Sequence, residues 1–160
     1  MNNPDKKKQD TPAVHIPPPV IVTVFLILGL VCDHYLNNTF GAASARLVYV
    51  GYVLCVFGFA LVGWCAGLYR QSKTSIMPHT ADSNMIETGP FGRSRNPIYL
   101  SMLVVFVGIC LIADAPAALL FVVPVYLALR YYVIAREEAY LTRRFGDEYT
   151  SYQSRVRRWF

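Results

Sequence analysis

Four long apolar runs divide this 160-residue chain and favour a bundle of membrane helices over any water-soluble fold. Residues 11–32, 47–69 and 97–113 contain no Asp, Glu, Lys or Arg, and a fourth run, 115–135, is interrupted only by Arg130. A helix needs about 20 predominantly apolar residues to span a bilayer, with about 17 as the lower limit. The first two runs are long enough alone, and the last two reach this length when the polar ends of their helices are included.

The composition leaves room for one domain. Hydrophobic residues make up 54% of the chain, and the mean hydropathy of +0.35 is too high for an ordinary soluble domain. The charged, proline-bearing residues 1–15 are predicted to be a disordered cytosolic tail, and residues 16–160 a single transmembrane domain. CDHYLNN follows the first run without a small-x-small cleavage site, so this run is expected to be a retained helix and not a signal peptide.

The predicted fold class is all-α, a polytopic membrane protein with about four transmembrane helices. The first two helices are predicted at about 18–36 and 45–70. A third begins at Asn96-Pro97, since proline suits the first turn of a helix. The sequence ADAP at 113–116 indicates a tight turn, so the third and fourth helices form an antiparallel hairpin. The fourth helix is predicted to continue past the membrane surface through REEAYLTRRFGDEY as one helical extension.

The basic residues are distributed unevenly between the two sides of the predicted bundle. The loops on one side offer only Arg46, and by the positive-inside rule the opposite, basic side faces the cytosol together with both termini. Contact with anionic lipids accounts for the net charge of +5, so no nucleic-acid partner is predicted. The basic side contains Lys6, Lys7, Lys8, Arg70, Lys73, Arg93, Arg95, Arg136, Arg143, Arg144, Arg155, Arg157 and Arg158.

Small residues are read mainly as packing residues. Gly63 and Gly67 share a small-xxx-small register, which predicts a close approach of the second helix to a neighbour. The four cysteines lie in or beside the apolar runs without metal-ligand spacing, so they are interpreted as free thiols and no metal site is predicted.

Two polar stretches carry the chemistry. Residues 89–101 read GPFGRSRNPIYLS, and Glu137 and Glu138 precede FGDEYTSY. Because both stretches belong to the cytosolic side and to one hairpin, Asn96 and Tyr99 are expected near the segment 130–138. Two simpler readings remain open: the two glutamates as a solvated helix surface paired with arginines, and Arg130 as a residue snorkelling to the interface.

Other polar residues give weaker signals. His79 is read first as a solvated loop residue, and no two histidines have metal-site spacing. Ser94 and Ser101 have no histidine placed to activate them, which argues against an acyl-enzyme hydrolase.

The order GPF-x-R-S-R-N-P-I-Y-L, an apolar hairpin, EE-x-x-L and FG-x-x-Y-x-x-Y resembles the isoprenylcysteine carboxyl methyltransferase and phospholipid methyltransferase superfamily of integral membrane enzymes. The resemblance covers residues 74–158. The commonest family motif is R-H-P-x-Y-x-G, and here Arg95, Pro97 and Tyr99 match it, while Asn96 replaces the histidine and Ser101 the glycine. With these two residues the motif is more similar to that of the bacterial and phospholipid-type members than to that of the prenylcysteine enzymes. This resemblance implies a bacterial inner-membrane location.

The resemblance implies S-adenosylmethionine as cofactor, held between the 89–101 motif and the two glutamates. Arg95 suits the cofactor carboxylate by bidentate pairing, a glutamate suits its ammonium group, and Asn96 and Tyr99 offer neutral hydrogen bonds. The implied cofactor-binding residues are Gly89, Pro90, Arg95, Asn96, Pro97, Tyr99, Leu100, Glu137 and Glu138.

The acceptor is expected to be a hydrophobic or lipid-like small molecule, and its reactive group is left open by the sequence. Arg130 would hold an acceptor carboxylate, of the prenylated-cysteine type. Glu138 or His79 would act as general base if the acceptor is a phospholipid amine.

Two other functions are weighed against methyl transfer. The first is an NADPH-dependent membrane reductase, which has a related motif in a similar hairpin, although this chain is short for that class and has Ile98 where the reductases usually have asparagine. The second is a non-catalytic membrane scaffold, in which the motif only fixes the hairpin. The methyltransferase is preferred over both.

Overall fold

A computed structural model describes residues 12–72 and 85–160, and in these ranges the chain forms helices joined by short turns. The prediction of an all-α membrane protein is confirmed. The main helices are α1 (Pro18–Leu36), α2 (Ser44–Gln71), α3 (Pro97–Ile112), α4 (Ala117–Phe145) and α5 (Asp147–Arg155). Three segments are long and apolar enough to span a membrane: α1, α4 and Gly41–Gln71, which contains α2. α3 is a shorter apolar helix of 16 residues.

Prolines set several of the helix starts that the sequence predicts. Pro18 lies at the beginning of α1 and Pro97 at the beginning of α3, where a missing N–H leaves no helical hydrogen bond unmade. Residues 113–116 connect α3 to α4, and Asp114 adopts a positive φ of 53° in this connection. The predicted hairpin is therefore present, and the carboxyl-terminal half of α4 lies beside the first turns of α3.

α4 is not uniform along its length. It begins as a 3₁₀ helix (Ala117–Phe121), continues as an α-helix (Val122–Ala128), widens to a π-helix (Leu129–Ile134) and returns to an α-helix (Ala135–Phe145). A π segment inside an α-helix is uncommon and is found frequently at functional sites. It lies immediately before Glu137 and Glu138.

The predicted extension of the fourth helix into residues 136–149 is present as far as Phe145 but does not continue beyond it. α4 ends at Phe145, and Gly146 takes a φ of +55° while its N–H donates to the Thr142 carbonyl over 2.9 Å. A residue with a Cβ rarely adopts this conformation, so glycine ends the helix here. The chain turns at Gly146 and α5 packs as a separate helix.

Close packing of α2 on α3 depends on Gly51, Gly58 and Gly108. A Cβ on Gly51 would lie 2.6 Å from the Gly108 carbonyl oxygen, and one on Gly58 would lie 2.5 Å from a methyl group of Val105. The predicted close approach at Gly63 and Gly67 is wrong, because no atom of another described element lies within 4 Å of a Cβ built at either position. Gly51 and Gly58 are seven residues apart and so face the same neighbour over two helical turns.

Two carboxylates close the end of the bundle that is distant from Glu138. Asp33, only 7% exposed, accepts a hydrogen bond of 2.7 Å from the Ala117 N–H at the start of α4. The Asp114 carboxylate accepts one of 2.9 Å from the Phe40 N–H. Both satisfy backbone donors at helix ends or loops, which would otherwise lack partners.

Residues of the amino-terminal segment pack against the bundle on the amino-terminal side of the predicted domain boundary at residue 15. Residues 1–11 lie outside the described part of the chain. Val14 is only 3% exposed in the main core, and the backbone N–H groups of His15 and Ile16 donate to the Tyr132 hydroxyl. The packed domain therefore begins before residue 16.

Candidate functional site

The sequence GPFG folds into a tight 3₁₀ turn, Gly89–Gly92, that positions the motif loop. Gly89 has a φ of +61°, a conformation that suits glycine, and Pro90 follows it inside the turn. Phe91 is 6% exposed and meets the ring of Tyr69 edge to face at 5.6 Å. The Tyr152 hydroxyl donates to the Phe91 carbonyl over 2.7 Å. The loop is thus held between α2 and α5.

The start of α3 is buried and polar. Asn96 precedes Pro97, its N–H donates to the Ser94 hydroxyl over 3.2 Å, and its carbonyl accepts from the Leu100 N–H over 3.0 Å. The Asn96 side-chain amide donates to the Arg158 carbonyl over 3.0 Å. Ser94 and Asn96 are 4% and 7% exposed, so this network is shielded from solvent. Pro97 and Leu100 contribute the first turn of the helix.

The first turn of α3 meets α4 at the two glutamates. The Tyr99 hydroxyl donates to the Glu137 Oε1 over 2.5 Å. This contact joins residues 38 positions apart in the sequence and places the motif tyrosine against the first acidic residue of the EE pair. The two polar stretches singled out in the sequence therefore come together.

Glu138 is the most enclosed charge of the site. Its side chain is 11% exposed and forms an ion pair of 3.3 Å with Arg95 Nη2 through Oε1. Arg158 also pairs with it in a bidentate manner, through Nε to Oε1 at 3.1 Å and through Nη2 to Oε2. The reading of Glu138 as a solvated helix surface is thereby excluded, and its arginine partners are the distant Arg95 and Arg158 and not arginines three or four positions away on its own helix.

Arg95 retains one donor beyond these contacts. Its side chain is 12% exposed, and its Nε atom is buried with no hydrogen-bond partner among the residues that the structure describes. A buried N–H of a charged group without an acceptor is costly, by about 1–3 kcal/mol. This N–H group is therefore available to an acceptor outside the described residues.

Two tyrosines of α5 line the cluster and remain uncharged. Burial, together with the nearby Glu138 carboxylate, raises the pKa of Tyr149 to about 12. Burial also raises the pKa of Tyr152. Both phenols therefore serve as neutral hydrogen-bonding groups at physiological pH.

Arg130 lies apart from this cluster. Its Nη1 donates to the Tyr126 hydroxyl over 2.7 Å, and its guanidinium carbon lies 5.5 Å from the centre of the Tyr131 ring. It belongs to the π segment, about 10 Å along the helix from Glu137 at about 1.5 Å per residue. His79 falls outside the described residues.

The sequence reasoning missed Arg158. This residue contacts Glu138 with its side chain and Asn96 with its carbonyl, yet it lies in RVRRWF among several arginines without a family motif. The available signal was the spacing of Val156 and Trp159, since two apolar residues among arginines indicate a segment that packs against the fold.

The fold and site define a helical membrane protein with a buried cluster of arginines, glutamates, a tyrosine and an asparagine at one end of a hairpin. A profile of the phospholipid methyltransferase family matches residues 47–148, which is more than half of the chain. The protein belongs to this family. Membership indicates membrane methyltransferase activity, and the match includes both the 89–101 motif and the EE pair.

The chain is also similar to an uncharacterised protein from Haemophilus influenzae (strain ATCC 51907 / DSM 11121 / KW20 / Rd). The two are 42% identical over 62 residues, which cover 39% of this chain and 98% of that protein.

Proposed function

We propose that the protein transfers a methyl group from S-adenosylmethionine to a hydrophobic or lipid-like acceptor. The single observation that carries this proposal is the convergence of Arg95, Asn96 and Tyr99 with Glu137 and Glu138 in a member of a methyltransferase family. Ionisable residues at a membrane-helix hairpin are costly to bury, and residues at such positions are typically functional.

The residues of the cluster fit the cofactor. Arg95 has a buried Nε donor without a partner in the described chain, which suits the cofactor carboxylate. The Glu137 carboxylate, which accepts from the neutral Tyr99 hydroxyl, supplies negative charge for its ammonium and sulfonium groups, whereas Glu138 is already paired with Arg95 and Arg158. When bound, the cofactor supplies an electrophilic methyl group, whose transfer requires in-line approach and exclusion of water more than acid–base catalysis. The burial of Asn96 and Glu138 provides that exclusion.

The acceptor is proposed to bind beside α4, the membrane helix that carries the two glutamates. Arg130 lies on the same helix, in the π segment, and can hold an acidic group of the acceptor. If the acceptor is an amine, a base is needed, and His79 or Glu138 would serve. Both oxygens of Glu138 already accept hydrogen bonds from arginines, so its geometry favours a positioning role over proton transfer.

Binding and transfer can be measured on the purified protein in detergent or nanodiscs. Titration calorimetry is expected to detect binding of S-adenosylmethionine and no binding of NADPH. This result would distinguish a methyltransferase from a membrane reductase. Incubation with a methyl-labelled donor and total membrane lipid is expected to place the label in a lipid fraction. Binding of NADPH alone would contradict the proposal. Binding of neither cofactor would also contradict it and would favour a non-catalytic scaffold.

We infer that the Glu138 end of the bundle faces the cytosol, where the cofactor is available. The arginines at 136, 143, 144, 155, 157 and 158 are concentrated at this end, as the positive-inside rule requires. Cysteines introduced at Ser154 and at Asn38 test this orientation. An impermeant thiol reagent is expected to label position 154 only from the cytosolic side and position 38 only from the opposite side, and the reverse pattern would contradict the inferred orientation.

A further inference from the structure

Residues 156–160 form a strap that returns from α5 across the site. Val156 is extended, with φ −119° and ψ 129°, and is 8% exposed against the rings of Tyr149 and Tyr152. Farther along, Trp159 packs on the ring of Tyr126 in α4 with ring centres 5.3 Å apart. This terminal strap is therefore anchored on α5 at one end and on the membrane-spanning helix α4 at the other.

The backbone of the terminal strap holds the motif loop. The Arg95 N–H donates to the Arg157 carbonyl over 2.9 Å. The Arg158 carbonyl accepts from the Asn96 amide over 3.0 Å and from the Ser94 hydroxyl over 3.4 Å. Three consecutive motif residues thus donate to two consecutive carbonyls of the strap. Because Ser94 and Asn96 are buried, the loss of these acceptors would leave buried donors unpaired.

The side chain of Arg158 holds the opposite half of the site. Its guanidinium engages both oxygens of Glu138, and Arg95 shares the Oε1 oxygen. A planar guanidinium that pairs with a carboxylate through two bonds fixes the direction as well as the distance of that carboxylate. One residue, Arg158, therefore sets the position of Glu138 relative to Asn96.

We propose that the terminal strap is the third component of the cofactor site and that Arg158 is its positioning residue. This inference rests on the proposed function, because it assigns the strap to the cofactor that the family motif and the EE pair bind. Arg158 holds Glu138 by its side chain and Asn96 by its carbonyl, and so fixes both neighbours of Arg95, which pairs with Glu138 and precedes Asn96 in the chain. The expected signature is a loss of cofactor affinity that exceeds the loss of transfer rate at saturating cofactor.

The substitutions R158Q and R158K test this role by calorimetry with S-adenosylmethionine. R158Q removes a bidentate charged contact and is expected to raise the Kd at least about tenfold. R158K keeps a positive charge beside Glu138 and is therefore expected to fold. It is expected to raise the Kd several-fold, because one ammonium group cannot form the two parallel hydrogen bonds of a guanidinium. The matched control R155Q removes an arginine whose partner, Glu87, forms a more exposed pair, and is expected to bind as the wild type does. A folded R158Q or R158K with wild-type affinity would overturn the proposal.

A double-mutant cycle between Glu138 and Arg158 separates the failure of this inference from the failure of the proposed function. Melting temperatures of E138Q, R158Q and the double variant are measured without cofactor. The double variant is expected to lose clearly less than the two single losses added together, because each single change removes the same contact between Arg158 and Glu138, which can be lost only once. Additive losses would overturn the positioning role. Non-additive losses in a protein that binds no S-adenosylmethionine would refute the cofactor assignment while retaining the contact between Arg158 and Glu138.

Discussion

Replacement of Glu138 by glutamine is expected to abolish detectable cofactor binding and to destabilise the protein. Glu138 is 9% exposed and is the shared partner of two arginines, so the neutral amide leaves Arg95 and Arg158 without their carboxylate. Removal of one partner from a buried ion pair costs about 3–5 kcal/mol, and the lower end of this range is expected here because the Arg158 side chain is 33% exposed and partly screened by solvent. Differential scanning calorimetry of the purified variant in detergent measures the loss of stability. Titration calorimetry with S-adenosylmethionine measures the loss of binding.

The substitution E87Q provides the matched control. Glu87 also pairs with an arginine, Arg155, over 2.9 Å, but the two side chains are 30% and 60% exposed. Exposed ion pairs contribute about 0–1 kcal/mol, so E87Q is expected to melt near the wild-type temperature and to retain cofactor affinity. If E138Q bound the cofactor as tightly as E87Q does, Glu138 would have no place in the site.

The position of the candidate site could be predicted because it follows from simple geometry. A turn at 113–116 makes two helices antiparallel, so residues that begin one helix must lie near residues that end the other. The hydrogen bond of 2.5 Å between Tyr99 and Glu137 is the direct consequence. The family match over residues 47–148 agrees with the motif resemblance noted in the sequence. Local pattern and topology were sufficient for these features.

The details that failed depend on packing that one sequence does not encode locally. Gly63 and Gly67 satisfy a known spacing, yet their faces do not meet α3, since the rotation of α2 is set by all of its contacts. Gly146 is a helix-ending residue by its positive φ, but the charged residues on both sides of it are compatible with a continuous helix. Arg158 was missed because which of several neighbouring arginines reaches Glu138 depends on the path of residues 156–160 across the fold.

The substitution of valine for Gly51 is expected to disrupt the packing of α2 on α3. A Cβ at this position would lie 2.6 Å from the Gly108 carbonyl oxygen and 3.0 Å from the Ile112 nitrogen, and backbone atoms cannot move aside as a flexible side chain can. Overpacking usually lowers the free energy of unfolding by about 1–3 kcal/mol. A clash with backbone atoms is expected to cost at least as much as the upper end of this range. Because the first turn of α3 carries Asn96 and Tyr99, displacement of α3 is also expected to weaken cofactor binding. Thermal unfolding in detergent, followed by calorimetry, measures both effects.

The same substitution at Gly63 separates helix packing from the general effect of valine in a membrane helix. Gly63 lies on α2 as Gly51 does, but within residues 12–72 and 85–160 no atom outside the helix lies within 4 Å of a Cβ built there. G63V is therefore expected to change the free energy of unfolding by no more than about 0.5 kcal/mol, as substitutions away from packed features do. Equal losses for G51V and G63V would show that α2 does not approach α3 through Gly51, whereas a loss confined to G51V identifies the glycine contact as the element that holds α3, and with it the site, in place.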